Sequence, residues 1–158
     1  MQMTSPTPLR LNNKDVFDTL GTTCADGSEI SFVPSGMSMY PFIVGGRDTV
    51  VLSAPRDISK GDISKGDIVA ARIPPRGECV LHRVYKVCGR ELMLMGDANL
   101  VTVEKCTLGD VVAKAVAIVR NGRRVSLSAR RERLAAAVWI AMRPLRKPVL
   151  YVVRLWNR

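Results

Sequence analysis

The sequence predicts a mainly β domain, a compact antiparallel barrel or sandwich, with a short helix before it and a basic amphipathic helical segment after it. Seven short runs rich in β-branched residues are separated by Gly-Asp, Pro-Pro and Asn-Gly turns, a spacing typical of antiparallel barrels and sandwiches. The chain has 158 residues, 47% hydrophobic and 24% charged, which is typical of one globular domain. We expect an N-terminal segment over residues 1–29, a folded domain over 30–127 and a tail over 128–158.

The elements are predicted from local signals along the chain. The first helix begins after Asn13, a helix-capping residue, and ends at Gly21. Asn121 and Gly122 separate the last two predicted strands and favour a tight hairpin turn, because both residues tolerate a positive φ. The predicted strands are Ile30–Val33, Asp48–Ala54, Asp67–Ile73, Cys79–Val87, Glu91–Met95, Val111–Val119 and Arg123–Leu127.

The C-terminal segment is predicted to be helical and basic. The chain from residue 120 onward carries eleven of the 24 basic residues but only one of the 14 acidic residues. Two interpretations of its apolar stripe stay open: the stripe docks the helix onto its own domain, or it lies on an anionic membrane surface. Nucleic acid is the least favoured partner. The stripe consists of Leu134, Val138, Ala141 and Leu145.

Composition also excludes several classes of site and location. The four cysteines form no C-x-x-C pair and the chain has one histidine, so we expect no metal site and no cofactor. The N-terminal sequence lacks the apolar core of a signal peptide, so we expect reduced cysteines. The longest apolar run, from Leu134 to Met142, is too short to span a bilayer. The expected location is the cytoplasm or the surface of a membrane.

Two features could carry nucleophilic chemistry. Ser38 lies in a loop between two predicted strands, with Gly36 two residues before it and Pro41 three residues after it. Such a turn can direct a hydroxyl and the backbone N–H of the same residue toward one point. His82 carries the only imidazole, the side chain that most readily exchanges a proton near neutral pH. Taken singly, each feature is also typical of a structural role: a Met-rich turn packed on the core, and a histidine satisfied within the fold.

Four segments, taken in order, resemble the motif boxes of signal-peptidase-like serine peptidases. The same superfamily includes the self-cleaving SOS-response repressors, whose nucleophile loop is similar to the Ser-Gly-Met-Ser-Met string found here. The resemblance covers about residues 30–120 and implies the fold of that superfamily. It also implies an endopeptidase that cleaves an extended peptide or precursor segment after small residues. The four segments are Ser35–Pro41, Gly66–Val69, His82–Val84 and Gly96–Asn99.

The resemblance also implies roles for individual residues. Ser38 would be the nucleophile and His82 the general base, because histidine stands where bacterial type I signal peptidases and SOS repressors carry lysine, as in the endoplasmic-reticulum-like branch. The carboxylate that supports His82 stays open between Asp97, in the fourth segment, and Glu104, a few residues later. Arg83 would be structural. The candidate substrate-binding residues are Gly36, Met37 and Met39.

Two other functions stay open. One is an autoproteolytic regulator of the SOS-repressor type, which the histidine base and the short stretch before the predicted core disfavour. The other is a non-catalytic adaptor that keeps the fold and binds a membrane surface through its basic tail. The sequence shows no N-terminal anchor of the kind carried by family members that cleave exported precursors, so the resemblance does not identify the substrate.

Overall fold

The computed structural model describes residues 28–55 and 61–156, and its main element is a curled, half-barrel sheet of antiparallel strands. The strand order is β1-β2-β7-β3-β4-β5-β6, and β8 pairs with β7 outside this path. The prediction of a mainly β domain is therefore confirmed. The strands are β1 (Glu29–Phe32), β2 (Thr49–Ser53), β3 (Ile68–Ile73), β4 (Glu78–Cys88), β5 (Glu91–Met95), β6 (Glu104–Thr107), β7 (Val111–Arg120) and β8 (Arg123–Ser126).

Each of the seven predicted strands is present, with its ends within one residue of the prediction. The one further strand, β6, was not predicted. Its sequence Glu-Lys-Cys-Thr is short, half charged and poor in β-branched residues. It forms by pairing with β5, with Leu94 opposite Glu104. The predicted helix between Asn13 and Gly21 lies outside the described residues.

The hairpin between β7 and β8 turns at Asn121 and Gly122, as predicted. Their φ angles are 49° and 72°, and two consecutive positive φ angles are what a type I′ turn requires. The pairing of Arg120 with Arg123 closes the turn.

Strand β3 lies at the centre of the sheet and contributes to two of the three hydrophobic core clusters. Ile68 and Ala70 pack into one cluster with Phe32, whereas Val69 and Ala71 pack into the other. Successive side chains of a strand point to opposite faces, so the four consecutive buried residues of β3 indicate that both of its faces are covered.

Two helices follow the sheet: α1 (Arg130–Ala141) and α2 (Arg146–Trp156), joined by a 3-10 turn. The helical tail was predicted. Of the two interpretations left open for its apolar stripe, docking onto the domain does not fit the structure, because the stripe is exposed. Leu134, Val138 and Leu145 are 47–67% exposed. The buried residues of α1 are Ala136, Trp139 and Ile140.

Which face of α1 is buried depends on specific contacts as well as on hydropathy. Arg133 reaches Asp67, with 2.6 Å between Nη1 and Oδ1. Trp139 has a large side chain that is buried, and its indole N–H donates to an acceptor inside the fold. Together these contacts turn the predicted stripe toward solvent. None of the helices in residues 28–55 and 61–156 is long and apolar enough to cross a membrane.

Candidate active site

His82, on β4, contacts Glu104, on β6, across the intervening strand β5. The distance between His82 Nδ1 and Glu104 Oε2 is 3.0 Å. Val84 pairs with Leu94, and Leu94 pairs with Glu104, so these side chains and that of His82 project from one face of the sheet. Continuing the register places Gly96 opposite His82. Gly96 has no side chain, and a Cβ there would lie against the ring of His82.

The other ring nitrogen of His82, Nε2, and the backbone carbonyl oxygen of Ser38 both lie close to Gly96. A Cβ atom added to Gly96 would lie 3.2 Å from His82 Nε2 and 2.6 Å from the carbonyl oxygen of Ser38, so both atoms border one small space. An imidazole that donates its Nδ1–H to a carboxylate keeps a lone pair on Nε2. Within the described residues, no hydrogen bond joins the Ser38 hydroxyl to the ring in this conformation.

The loop that carries Ser38 is held by backbone hydrogen bonds on both sides. Tyr40 N donates to Met37 O at 3.1 Å, which closes a turn around Ser38. The carbonyl oxygen of Ser38 accepts from Ala98 N at 2.8 Å. That second bond ties the serine loop to the Gly-Asp-Ala-Asn segment, so two of the four motif segments meet directly.

Gly45 packs closely against the backbone of the serine loop at Ser35 and Gly36. Sequence reasoning did not identify this residue. A Cβ at this position would overlap the carbonyl oxygen of Gly36 and would lie 2.9 Å from that of Ser35. Any side chain here would therefore push the loop away. The available signal was the Gly45-Gly46 pair directly after an apolar run, which marks a close backbone approach.

Asp97 pairs with Arg83 and not with His82. The pair is buried and two-pronged, with 2.8 Å between Arg83 Nε and Oδ1 and 2.6 Å between Nη2 and Oδ2. Arg83 also donates to the carbonyl oxygen of Gly66 at 2.9 Å. Of the two carboxylates considered for His82, the structure places Glu104 against the ring, while Asp97 links three of the motif segments through Arg83.

The three candidate substrate-binding residues lie in different surroundings. Gly36 and Met37 are exposed. Met39 is 3% exposed and packs in the first core cluster, because the chain turns inward after Ser38 and Ile43 N bonds to Met39 O at 2.9 Å. Direct contact between Met39 and a substrate is therefore not supported, and the interpretation of Met39 as a core residue fits better.

The C-terminal helices contact the same region, which sequence reasoning did not anticipate. Trp139 Nε1 donates to the carbonyl oxygen of Asp97 at 3.3 Å, and its ring meets Phe42 edge-on at 5.5 Å. The buried guanidinium of Arg146 donates to the carbonyl oxygen of Trp139 at 3.1 and 3.2 Å and contacts Met95 Sδ. Burial lowers the pKa of Arg146. The only available signal was a tryptophan within the predicted helix.

Asp48 anchors the chain where the serine loop returns to the sheet. Its carboxylate accepts from Val44 N at 2.9 Å, from Arg47 Nε at 2.8 Å and from Arg120 Nη2 at 2.8 Å. Burial alone would raise its pKa, but the hydrogen bonds from Arg120, Arg47 and Val44 outweigh that effect and hold the pKa of Asp48 well below its ordinary value. Asp48 therefore stays ionised while the protein is folded.

A cavity of about 780 Å³ lies beside α1, β3 and β7, and Gly66 and Arg83 are among its lining residues. Its charges are largely paired with each other: Asp67 lies 3.0 Å from Lys114 and 2.6 Å from Arg133. Neither Ser38 nor His82 lines it. We therefore assign no part of the candidate site to this cavity.

No group of three histidine, cysteine or acidic side chains in the described ranges could hold a metal ion. Comparison with protein-family models gives no match for the chain, and comparison with curated proteins gives none. The functional argument therefore depends on the geometry of the site.

Proposed function

We propose that this chain is a serine endopeptidase of the signal-peptidase-like type, with Ser38 as nucleophile, His82 as general base and Glu104 as the supporting carboxylate. The observation that carries the proposal is the orientation of His82. One ring nitrogen lies 3.0 Å from Glu104 Oε2, and the other borders the space beside Ser38. A nucleophile, a base and a group that orients the base are the parts that acyl transfer requires.

In the proposed reaction, His82 Nε2 accepts the Ser38 hydroxyl proton while Oγ forms a bond to the peptide carbonyl carbon. The tetrahedral intermediate then collapses, the C–N bond breaks, and His82 returns the proton to the leaving amine. A water molecule next gives a proton to His82 and attacks the ester. The acid product leaves, and the proton returns to Ser38 Oγ.

Glu104 would hold His82 in the tautomer that this reaction needs. Accepting the Nδ1–H leaves the lone pair on Nε2, and the carboxylate charge stabilises the imidazolium formed during each step. Both side chains are largely buried, so the surroundings weaken their interaction less than bulk water would.

The developing oxyanion would be bound by backbone N–H groups. The N–H of Ser38 donates to no acceptor among the described residues, and Gly36 stands where many signal peptidases carry an additional hydroxyl donor. Preorganised backbone donors can stabilise a tetrahedral intermediate without help from a side chain.

The position of β1 supports an extended peptide as the substrate. β1 is the first strand in the order, and among the described residues it pairs only with β2. It ends at Phe32, six residues before Ser38. A peptide that adds to a free strand edge gains affinity from main-chain hydrogen bonds. Such a peptide would run along β1 toward the serine loop.

A peptide library biased toward small residues, analysed by mass spectrometry, tests the proposal. We expect cuts by the wild type and none by Ser38→Ala or His82→Ala. Ser126→Ala is the matched control, because among the described residues its exposed hydroxyl hydrogen-bonds only to Ser128. It should cleave like the wild type. Cleavage retained by folded Ser38→Ala, or absent from the folded wild type on every peptide, would contradict the proposal.

A further inference from the structure

The C-terminal helices present an apolar surface that nothing in the described structure covers. Nine large hydrophobic side chains are exposed among the residues that the structure describes, and six of them belong to this segment. The opposite faces of the helices already pack on the domain through Trp139 and Leu150, so the exposed residues are not needed to dock the helices. A concentration of exposed apolar side chains in one segment indicates an interaction site. The six are Leu134, Val138, Leu145, Tyr151, Val152 and Leu155.

Basic residues accompany this surface. Arg130 and Lys147 are exposed, and neither forms an ion pair with another described residue. Glu132 is the only acidic residue after residue 119, and it already lies 3.2 Å from Arg131. The helices therefore combine exposed aliphatic and aromatic side chains with a net positive charge.

This combination favours an anionic lipid surface over other occupants. A second copy would bring its own net charge of +10 toward the first, and like charges oppose association. Nucleic acid would use the arginines but would leave the leucines and valines in water. A bilayer with anionic headgroups satisfies both, because apolar side chains enter the acyl boundary while basic side chains stay at the headgroups.

We infer that α1 and α2 seat the domain on the surface of an anionic phospholipid bilayer. The helices lie on the membrane and do not cross it. The opposite faces stay packed on the domain: Trp139 of α1 donates to the Asp97 carbonyl, and the Val153 carbonyl of α2 accepts from the Tyr40 hydroxyl. The inference does not depend on the proposed peptidase activity.

Co-sedimentation with vesicles of phosphatidylcholine, with and without phosphatidylserine, tests the inference. The wild type should bind the phosphatidylserine vesicles more tightly, and added salt should weaken binding. Leu134→Asn combined with Val138→Asn should reduce binding to both kinds of vesicle. Arg130→Glu combined with Lys147→Glu should reduce binding to phosphatidylserine vesicles by about tenfold or more.

Matched controls separate this surface from general stickiness. Val87→Asn changes an exposed apolar residue on β4, and Arg76→Glu changes an exposed charge in the turn before β4. Both should bind like the wild type, as should Ser38→Ala. Because every substituted side chain except the half-buried Ser38 is exposed, circular dichroism should show an unchanged fold.

Three results would overturn the inference. The first is a folded wild type that binds neither kind of vesicle. The second is vesicle binding that the helix variants leave unchanged. The third is a dimer, or a nucleic-acid complex, that the Leu134 and Val138 changes disrupt while vesicle binding stays absent. None of these results bears on peptide cleavage, so the proposed function stands or falls separately.

Discussion

Glu104 Oε2 lies 3.0 Å from His82 Nδ1 although a complete strand separates the two residues. Adjacent strands are about 4.8 Å apart, so side chains two strands apart meet only when both extend toward each other and the strand between them leaves room. On the intervening strand, Gly96 lies opposite His82 and places no side chain against the ring or the Ser38 carbonyl oxygen. The site therefore depends on a position without a side chain as much as on the charged residues around it.

Gly96→Ala should abolish peptide cleavage. The new methyl group would lie 2.6 Å from the Ser38 carbonyl oxygen and 3.2 Å from His82 Nε2, and a displacement of about 1 Å at a catalytic site can cost about a hundredfold in rate. Gly109→Ala is the control, because its methyl group would meet only Thr107 Oγ1, at 3.6 Å. Measured kcat/KM equal to wild type for Gly96→Ala would contradict this account of the site.

Glu104→Gln should mainly lower activity, whereas Asp97→Asn should mainly lower stability. Glu104→Gln should lower kcat by about two orders of magnitude or more, through loss of the correct tautomer, with little change in thermal stability. Asp97→Asn should instead cost about 3 kcal/mol or more of stability, because it leaves Arg83 charged and buried. Kinetics and urea unfolding on both variants check this, and the reverse pattern would identify Asp97 as the partner of His82.

The sequence predicts the strands better than it predicts the arrangement of the site. Seven strands follow from runs of β-branched residues, because burial and alternation leave a local pattern. β6 leaves no such pattern, since its four residues form a strand only by pairing with β5. The choice between Asp97 and Glu104 could not be made from the sequence for the same reason: it depends on cross-strand register. The catalytic roles of Ser38 and His82 stay predictions.

The helix face shows a second limit of sequence patterns. Periodicity correctly predicts a helix over the tail and identifies its apolar positions, but it does not say which of them are buried. Trp139 and Arg146 are among the buried residues, and each has a hydrogen-bond acceptor within the fold: the Asp97 carbonyl for the indole N–H and the Trp139 carbonyl for the guanidinium. The stripe around Leu134 carries no such donor, and it stays in solvent.

Cys106 should be far less reactive than Cys88. Burial, together with the charges of Asp110 and Glu104, raises the pKa of the Cys106 thiol to about 11, so little thiolate forms at neutral pH. Cys88 is exposed at the end of β4. Brief alkylation followed by peptide mapping should label Cys88 in the native protein and Cys106 only after unfolding. Equal labelling of both in the folded state would show that β6 is not packed as described.

Removing the N–H donor of Trp139 should show whether α1 positions the site. Trp139→Phe keeps an aromatic ring against Phe42 but loses the hydrogen bond to the Asp97 carbonyl. One such bond contributes about 1 kcal/mol of stability. Because Ala98, the next residue, bonds to the Ser38 carbonyl oxygen, displacement of this segment should also move the nucleophile. We therefore expect kcat to fall with KM little changed.

The matched control is Ile140→Val, which trims the neighbouring buried residue of α1 and leaves that hydrogen bond intact. It should cost a similar amount of stability, about 1 kcal/mol, without the loss of kcat. Equal kinetic losses in the two variants would mean that α1 only stabilises the fold. A loss of kcat confined to Trp139→Phe would make Trp139 a positioning residue, acting on Ser38 through the backbone of the Gly-Asp-Ala-Asn segment.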